Sequence, residues 1–166
     1  YDGNNLKISN FTYVDSTGDT IALFYSINSP AQLNNIRIEN INLRGDSING
    51  ALVGTMVNGT ISNCSVVGGT IEDVAGGLSG GLVGQIFGGT ITNSSVSGVN
   101  ITGLGQNGGL VGYMMAGTVS NSFAVQGTVA TTSGGSYTGG LVGQMDGGAI
   151  TLSHSSLTVN SGGLAG

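Results

Sequence analysis

Apolar residues along this chain fall in short clusters separated by Gly, Ser, Thr and Asn, and none recurs at the three-to-four-residue spacing of an amphipathic helix. The clusters repeat. Gly-Leu-Val-Gly occurs at 81–84, 109–112 and 140–143; Ala51-Leu52-Val53-Gly54 and a degenerate Ala22-Leu23-Phe24-Tyr25 precede it, and Gly163-Leu164-Ala165-Gly166 follows. The Leu spacings are 29, 30, 28, 31 and 23 residues. Nine residues after four of these Leu comes a second apolar position, Ile61, Ile91, Val119 and Ile150, with Leu33 ten after Leu23 where Pro30 is inserted. A third, Leu43, Ile71, Ile101, Val129 and Val159, lies 18 to 20 residues after the same Leu.

Short β-branched and aliphatic segments bounded by Gly and Asn read as strands. Three such strands per unit leave no room for helical crossovers, and hairpins would scramble the columns of equivalent residues. The pattern therefore predicts an all-β fold: a parallel β-helix, or β-solenoid, with three short strands per coil and about 5–6 coils. A right-handed winding is expected. Coils stack at about 4.8 Å, the ordinary interstrand spacing, giving a rod on the order of 25 Å long. Residues 1–166 read as a single solenoid domain with coils near 1–20 (partial), 21–49, 50–79, 80–107, 108–138, 139–162 and 163–166 (partial). It is expected to be a segment of a longer repeat protein.

Superposing the units yields columns with distinct chemistry. Asn10, Asn35, Asn63, Asn93 and Asn121 share one, interrupted by Leu152 in the last coil, and read as an inward asparagine ladder whose amides bond from coil to coil at a corner. Cys64 shares the next column with Phe11, Ile36, Ser94, Ser122 and Ser153 and reads as a small inward residue. Arg44 and Glu72 fall at equivalent positions of adjacent coils, an expected cross-strand ion pair. Thr60, Ser62, Thr90, Thr92, Thr118, Ser120 and Thr151 flank the inward residues of the second apolar column, so they form an outward hydroxyl face and a candidate binding surface.

Composition narrows the function classes. Of 166 residues 33 are Gly and only 7% are charged, with 39% apolar and a formal net charge of −5. Soluble proteins average roughly 7% Gly and about 25% charged residues. Disorder combines low hydrophobicity with high net charge, and collagen needs Gly at every third position with abundant Pro; this chain has one Pro. An acidic chain lacks the basic footprint for nucleic acid or an anionic membrane surface. No apolar run reaches the roughly 18–20 residues of a membrane span, so neither a nucleic-acid partner nor membrane insertion of this segment is expected.

The stretch Gly88-Gly89-Thr90-Ile91-Thr92-Asn93-Ser94, the related Gly59-Thr60-Ile61-Ser62-Asn63-Cys64 and the recurring Gly-Gly-Leu-Val-Gly resemble the GLUG repeat of bacterial surface and secreted proteins. The opening Asp2-Gly3-Asn4-Asn5-Leu6-Lys7-Ile8-Ser9-Asn10 is similar to the stretch that precedes such repeats. The resemblance covers nearly the whole chain. It implies an extracellular or cell-surface parallel β-helix serving as stalk or binding surface, of the kind found in large adhesins and in non-catalytic regions of immunoglobulin A protease-like proteins. It supplies no catalytic residues.

Little else in the chain points to chemistry. Its eight acids are scattered; only Arg44, Asp46, Glu72 and Asp73 come close together, as an ion pair or a weak calcium site. His154 lies between Ser153 and Ser155, but neighbours on a strand face opposite ways and cannot act as nucleophile and base. No catalytic residue, metal site or cofactor is expected, and the chain reads as a non-enzyme. Asn-x-Ser/Thr sequons at Asn10, Asn58, Asn63, Asn93 and Asn100 read as chance, three of them in the inward ladder. The role implied is a structural or adhesive segment of a bacterial adhesin. The alternatives are a filament subunit stacking head to tail, an ice-binding solenoid, and a non-catalytic region of a secreted protease or carbohydrate-active enzyme. Expected partners are other copies or flanking repeats meeting the exposed end coils, with a host surface or glycan as ligand. The irregular stretch 12–20 is expected to fold over one end.

Overall fold

Val, Ile and Thr suit the pleated, half-buried surface of a strand, and apolar segments this short can be covered only by copies of themselves. A computed structural model of the chain describes residues 1–132 and 137–162, and the backbone of 164–165. The described residues contain no helix, and their strands pair in parallel as a β-solenoid of about five turns. Of the final Gly-Leu-Ala-Gly copy, Gly163 and Gly166 lie outside the described residues.

Three strands per coil carry the three apolar positions. Val53–Met56, Val83–Ile86, Val111–Met114 and Val142–Met145 stack on Phe24–Ile27, valine beside valine. Thr60–Ser62, Thr90–Thr92, Thr118–Ser120 and Ala149–Thr151 stack on Gln32–Asn34, with Ile61 on Ile91 and Ile91 on Val119. The nine-residue strands Arg37–Gly45, Ser65–Asp73, Ser95–Gly103 and Phe123–Thr131 set Leu43, Ile71, Ile101 and Val129 in one column. All four of those side chains are fully buried.

A fourth, short ladder precedes each Leu-Val segment: Ile48–Gly50, Leu78–Gly80, Gln106–Gly108 and Tyr137–Gly139. Its inward residues are Asn49, Ser79, Asn107 and Thr138, all fully buried. Being polar, they are invisible to a search for apolar periodicity. The ladder turns sharply into the next strand at Gly50, Gly80, Gly108 and Gly139, where a Cβ would overlap the carbonyl oxygen of Val53, Val83, Val111 and Val142 respectively. That close approach is the physical content of the glycine ahead of each Leu-Val.

Corners are made by columns of left-handed residues. Gly59, Gly89, Gly117 and Gly148 have φ of 110°, 96°, 101° and 97°, a conformation that costs a side chain dearly and glycine nothing. Asn10, Asn35, Asn63, Asn93 and Asn121 turn the next corner at φ of 59°, 54°, 52°, 49° and 47°. A third such column, Asn40, Gly68, Gly98 and Gln126, kinks the long strands. The last coil lacks that residue, and its register slips between Val125 and Thr128.

At the amino-terminal end, Lys7–Ser9 and Thr12–Val14 pair with Arg37–Gly45. Residues 12–14 thus extend the long sheet instead of folding over the end: their Thr-Tyr-Val composition suits an edge strand, and the edge of Arg37–Gly45 is free to receive it.

Leu152 takes the Asn position of the last coil with φ of 49° and is 83% exposed. A left-handed conformation costs a bulky residue about 1–2 kcal/mol, and Asn tolerates it. Leu152→Asn is therefore expected to stabilise the fold by about 0.5–1 kcal/mol in urea denaturation; an unchanged or lower midpoint would contradict the left-handed corner.

Candidate functional site

Turning the chain at Asn63 points the next N–H into the interior, where no strand receives it. A serine hydroxyl from the following coil does. Cys64 N–H donates to Ser94 Oγ at 3.2 Å, Ser94 N–H to Ser122 Oγ at 3.1 Å and Ser122 N–H to Ser153 Oγ at 3.1 Å. Each hydroxyl donates in turn to the carbonyl two residues back, Ser94 to Thr92 at 2.9 Å, Ser122 to Ser120 at 2.8 Å and Ser153 to Thr151 at 2.8 Å. Cys64 Sγ takes the same place at 3.3 Å from Ser62 O, and burial pushes its thiol pKa up.

This corrects the reading of the asparagine column. Asn10, Asn63, Asn93 and Asn121 are exposed and Asn35 is half-buried, so the column faces outward and its function is conformational. Coil-to-coil bonding at the corner belongs to the serine column beside it. The reason is geometric: a left-handed residue at a convex corner directs its own side chain to solvent and its successor inward. The sequons at Asn10, Asn63 and Asn93 consequently lie on the surface.

A second polar row fills the corner between the long strands and the fourth ladder. Gly45, Asp73, Gly103 and Thr131 form one column, facing Asn49, Ser79, Asn107 and Thr138. Large meets small at the first three levels, Gly45 with Asn49, Asp73 with Ser79 and Gly103 with Asn107, and two threonines meet at the fourth. A Cβ on Gly45 or Gly103 would run into Asn49 Oδ1 or Asn107 Oδ1. Those two oxygens have no conventional donor among the described residues and rest on glycine Cα–H groups, a weak contact. Asn49 Nδ2 bonds Ser79 Oγ at 3.2 Å, Asn107 Nδ2 bonds Gly105 O at 3.1 Å, and the Thr131 and Thr138 hydroxyls bond each other. Asp73, only 3% exposed, accepts from Ala75 and Gly76 N–H on Oδ1 and from Leu104 and Gly105 N–H on Oδ2, all at 3.2 Å. Four backbone donors satisfy a carboxylate that would otherwise be costly to bury.

On the surface, Thr60, Ser62, Thr90, Thr92, Thr118 and Ser120 are half-buried and Thr151 is exposed. Ser62 Oγ donates to Asn34 Oδ1 at 2.5 Å and Ser120 Oγ to Thr92 Oγ1 at 3.1 Å. A polar groove of about 330 Å³ opens beside the face, lined by Ser29, Pro30, Gln32, Asn58, Thr60 and Thr90 among others. A second outward column runs up the long sheet: Thr12, Asn42, Thr70, Asn100, Thr128 and Thr158. Thr70 Oγ1 bonds Asn42 Oδ1 at 3.2 Å and Thr128 Oγ1 bonds Asn100 Oδ1 at 2.9 Å. Its sequence signal is a Thr or Asn immediately before each residue of the third apolar column.

The charged groups are dispersed. Arg44 Nε lies 2.9 Å from Glu72 Oε2, both side chains about half exposed, a pairing worth about 0–1 kcal/mol. Asp46 Oδ1 accepts from Gly18 N–H at 2.8 Å. With Asp73 enclosed by its four donors, Asp46, Glu72 and Asp73 do not assemble, and among the described residues no three His, Cys, Asp or Glu are placed to hold a metal ion. Arg37 and then Lys7 hold the Glu39 carboxyl below its ordinary range. The Tyr113 hydroxyl, with Gln144, does the same for Asp146, and the carboxylate raises the Tyr113 pKa in return. His154 is exposed and stacks on Phe123 with ring centres 5.5 Å apart, while Ser153 is committed to the inward ladder.

Fold and columns define a repeat-built parallel β-solenoid with a hydroxyl- and amide-rich surface. The family model of the GLUG motif matches residues 75–102, which span the acute turn at Gly80, the Leu82-Val83 segment, the serine corner at Ser94 and Ile101. No curated protein matches the chain. Among solved structures, the chain is similar to a putative immunoglobulin A1 protease from Bacteroides ovatus, with 20% identity and a TM-score of 0.63 over 99% of this chain and 68% of that one. That likeness is one of fold.

The serine ladder carries a direct test. Ser94→Ala strands the buried Cys64 N–H and should cost about 1–3 kcal/mol, whereas Cys64→Ser places the column's own residue in its slot and should change stability by less than about 1 kcal/mol. Denaturant midpoints of the two variants check this, and equal effects would contradict the ladder.

Proposed function

We propose that this chain is a structural and adhesive β-solenoid segment of a secreted or surface bacterial protein, without catalytic activity of its own. The observation that carries this reading is the outward hydroxyl face of one sheet, with Thr60, Thr90 and Thr118 in one column and Ser62, Thr92, Ser120 and Thr151 in the other, together with the outward column Thr12 to Thr158 of the long sheet, each repeated once per coil. Hydroxyl and amide groups spaced at about 4.8 Å suit an extended ligand such as a glycan, bound by many weak contacts that add through multivalency. The GLUG motif supports the class. The commitment of Asp73, Glu72 and Glu39 to structural partners supports a non-catalytic role.

The last described coil favours an assembly role as well. Met145 and Ile150 are 41% and 37% exposed, whereas their counterparts Met114 and Val119 are fully buried. With Leu141, Val142, Leu157 and Val159 they line an open depression of about 450 Å³. A further coil, from flanking repeats or a second copy, covers that surface in this reading. The ice-binding alternative is weakened by the hydroxyl face itself: Gln32 and Ala149 interrupt the threonine column, and the Ser62 and Ser120 hydroxyls are turned to their neighbours.

A glycan array probed with the full chain is expected to give hits that the paired substitution Thr70→Lys and Asn100→Glu removes; the two positions are stacked on adjacent coils, so the opposite charges pair as Arg44 and Glu72 do, and stability should change by no more than about 1 kcal/mol. An array without hits, or turnover of a peptide or glycosidic substrate by the purified chain, would overturn the proposal.

A further inference from the structure

The chain contains three Asn-Gly pairs, Asn49-Gly50, Asn58-Gly59 and Asn107-Gly108, and the fold treats them differently. Asn49 and Asn107 are fully buried with their Nδ2 groups hydrogen-bonded, and both dipeptides lie within the fourth ladder. Gly50 N–H is further engaged by Ile21 O at 3.0 Å. Asn58 is exposed at the corner between Val53–Met56 and Thr60–Ser62. There Gly59 N–H donates to Asn58 Oδ1 itself at 2.9 Å, which sets the backbone nitrogen beside the side-chain carbonyl.

The equivalent positions in the next three coils are Gly88, Ala116 and Gly147. A corner that accepts Gly or Ala does not need an Asn for folding.

We infer that Asn58 is a site of spontaneous intramolecular deamidation. The Gly59 nitrogen attacks Asn58 Cγ and closes a five-membered succinimide. The Cγ–Nδ2 bond breaks, and the amide proton of Gly59 leaves with the departing group as ammonia. Water then opens the ring at either carbonyl to give aspartate or isoaspartate, with no oxidant or reductant required. Glycine at 59 leaves the attacking nitrogen unobstructed, and positioned reactants of this kind react far faster than free ones.

The product places a new carboxylate in the polar groove beside Gln32, Thr60 and Thr90. The isoaspartyl form also lengthens the main chain two residues before the ladder bond from Thr60 N–H to Ala31 O, 2.9 Å long. The modification therefore alters the hydroxyl face at its first complete coil, independently of which ligand that face takes.

The test is peptide mapping with isoaspartate detection on the full, folded chain held at mildly alkaline pH, beside the same chain in denaturant. In denaturant the three sites should convert at comparable rates. In the folded chain Asn58 should convert about 100-fold faster than Asn49 and Asn107, a lag corresponding to about 2.7 kcal/mol of local opening at the ladder sites. Asn58→Ala, which copies the corner of Ala116, should abolish the folded-state product while the chain stays folded. Equal rates at the three sites in the folded chain would overturn the inference. So would an Asn58 that persists when folded for as long as its full conversion takes in denaturant.

Discussion

Everything in this molecule follows from one condition: each residue rests on its own counterpart about 4.8 Å away, joined to it by backbone hydrogen bonds that run up the whole stack. A side chain must therefore be compatible with copies of itself. Aliphatic residues meet the condition by packing, as Ile61, Ile91 and Val119 do. Hydroxyls and amides meet it by hydrogen bonding, as in the Asn42–Thr70 and Asn100–Thr128 pairs. Charges fail it unless they alternate in sign, because like charges directly opposite repel; Arg44 over Glu72 is the permitted arrangement. The 7% charge content is a consequence of this geometry.

The same condition makes corners expensive. At the glycine corners the backbone ladder continues, as from Thr90 N–H to Gly59 O, but just after each corner asparagine an N–H points inward without a strand to receive it. The protein answers with paired columns, a left-handed residue to make the turn and a small polar residue to accept the stranded N–H. Ser94, Ser122 and Ser153 fulfil the second task, and Cys64 stands in the same slot. At the other polar corner the answer is complementarity of volume. Asn49 and Asn107 face glycine, while Asp73 faces serine and reaches across to the loop of the next coil.

The three apolar columns were legible in the sequence because burial repeats them at fixed spacing, and Leu52, Leu82 and Leu110 keep register with their neighbours as the alignment predicts. The fourth ladder was not legible in this way, since Asn49, Ser79, Asn107 and Thr138 share polarity and burial but no residue type. The asparagine column was visible as a column while its direction was misread. Identity at a repeated position reveals a shared environment, and only φ near 50° distinguishes an outward corner from an inward ladder. Of the surface, the hydroxyl face and the Arg44–Glu72 pair were apparent. The Thr12-to-Thr158 column was hidden by alternation between Asn and Thr, two residues that do the same work when stacked.

A chain built from stacked, self-covering coils should tolerate the loss of a whole coil and no other internal deletion of similar size. Excising residues 80–107 joins Ser79 to Gly108, its partner's successor in the ladder, and lets Phe123–Thr131 settle on Ser65–Asp73. Circular dichroism and urea denaturation should show this shortened chain still β-folded and unfolding cooperatively. A chain lacking only 80–93, half a coil, should show neither. Equal behaviour of the two deletions, whether both folded or both unfolded, would contradict the column-by-column account of this structure.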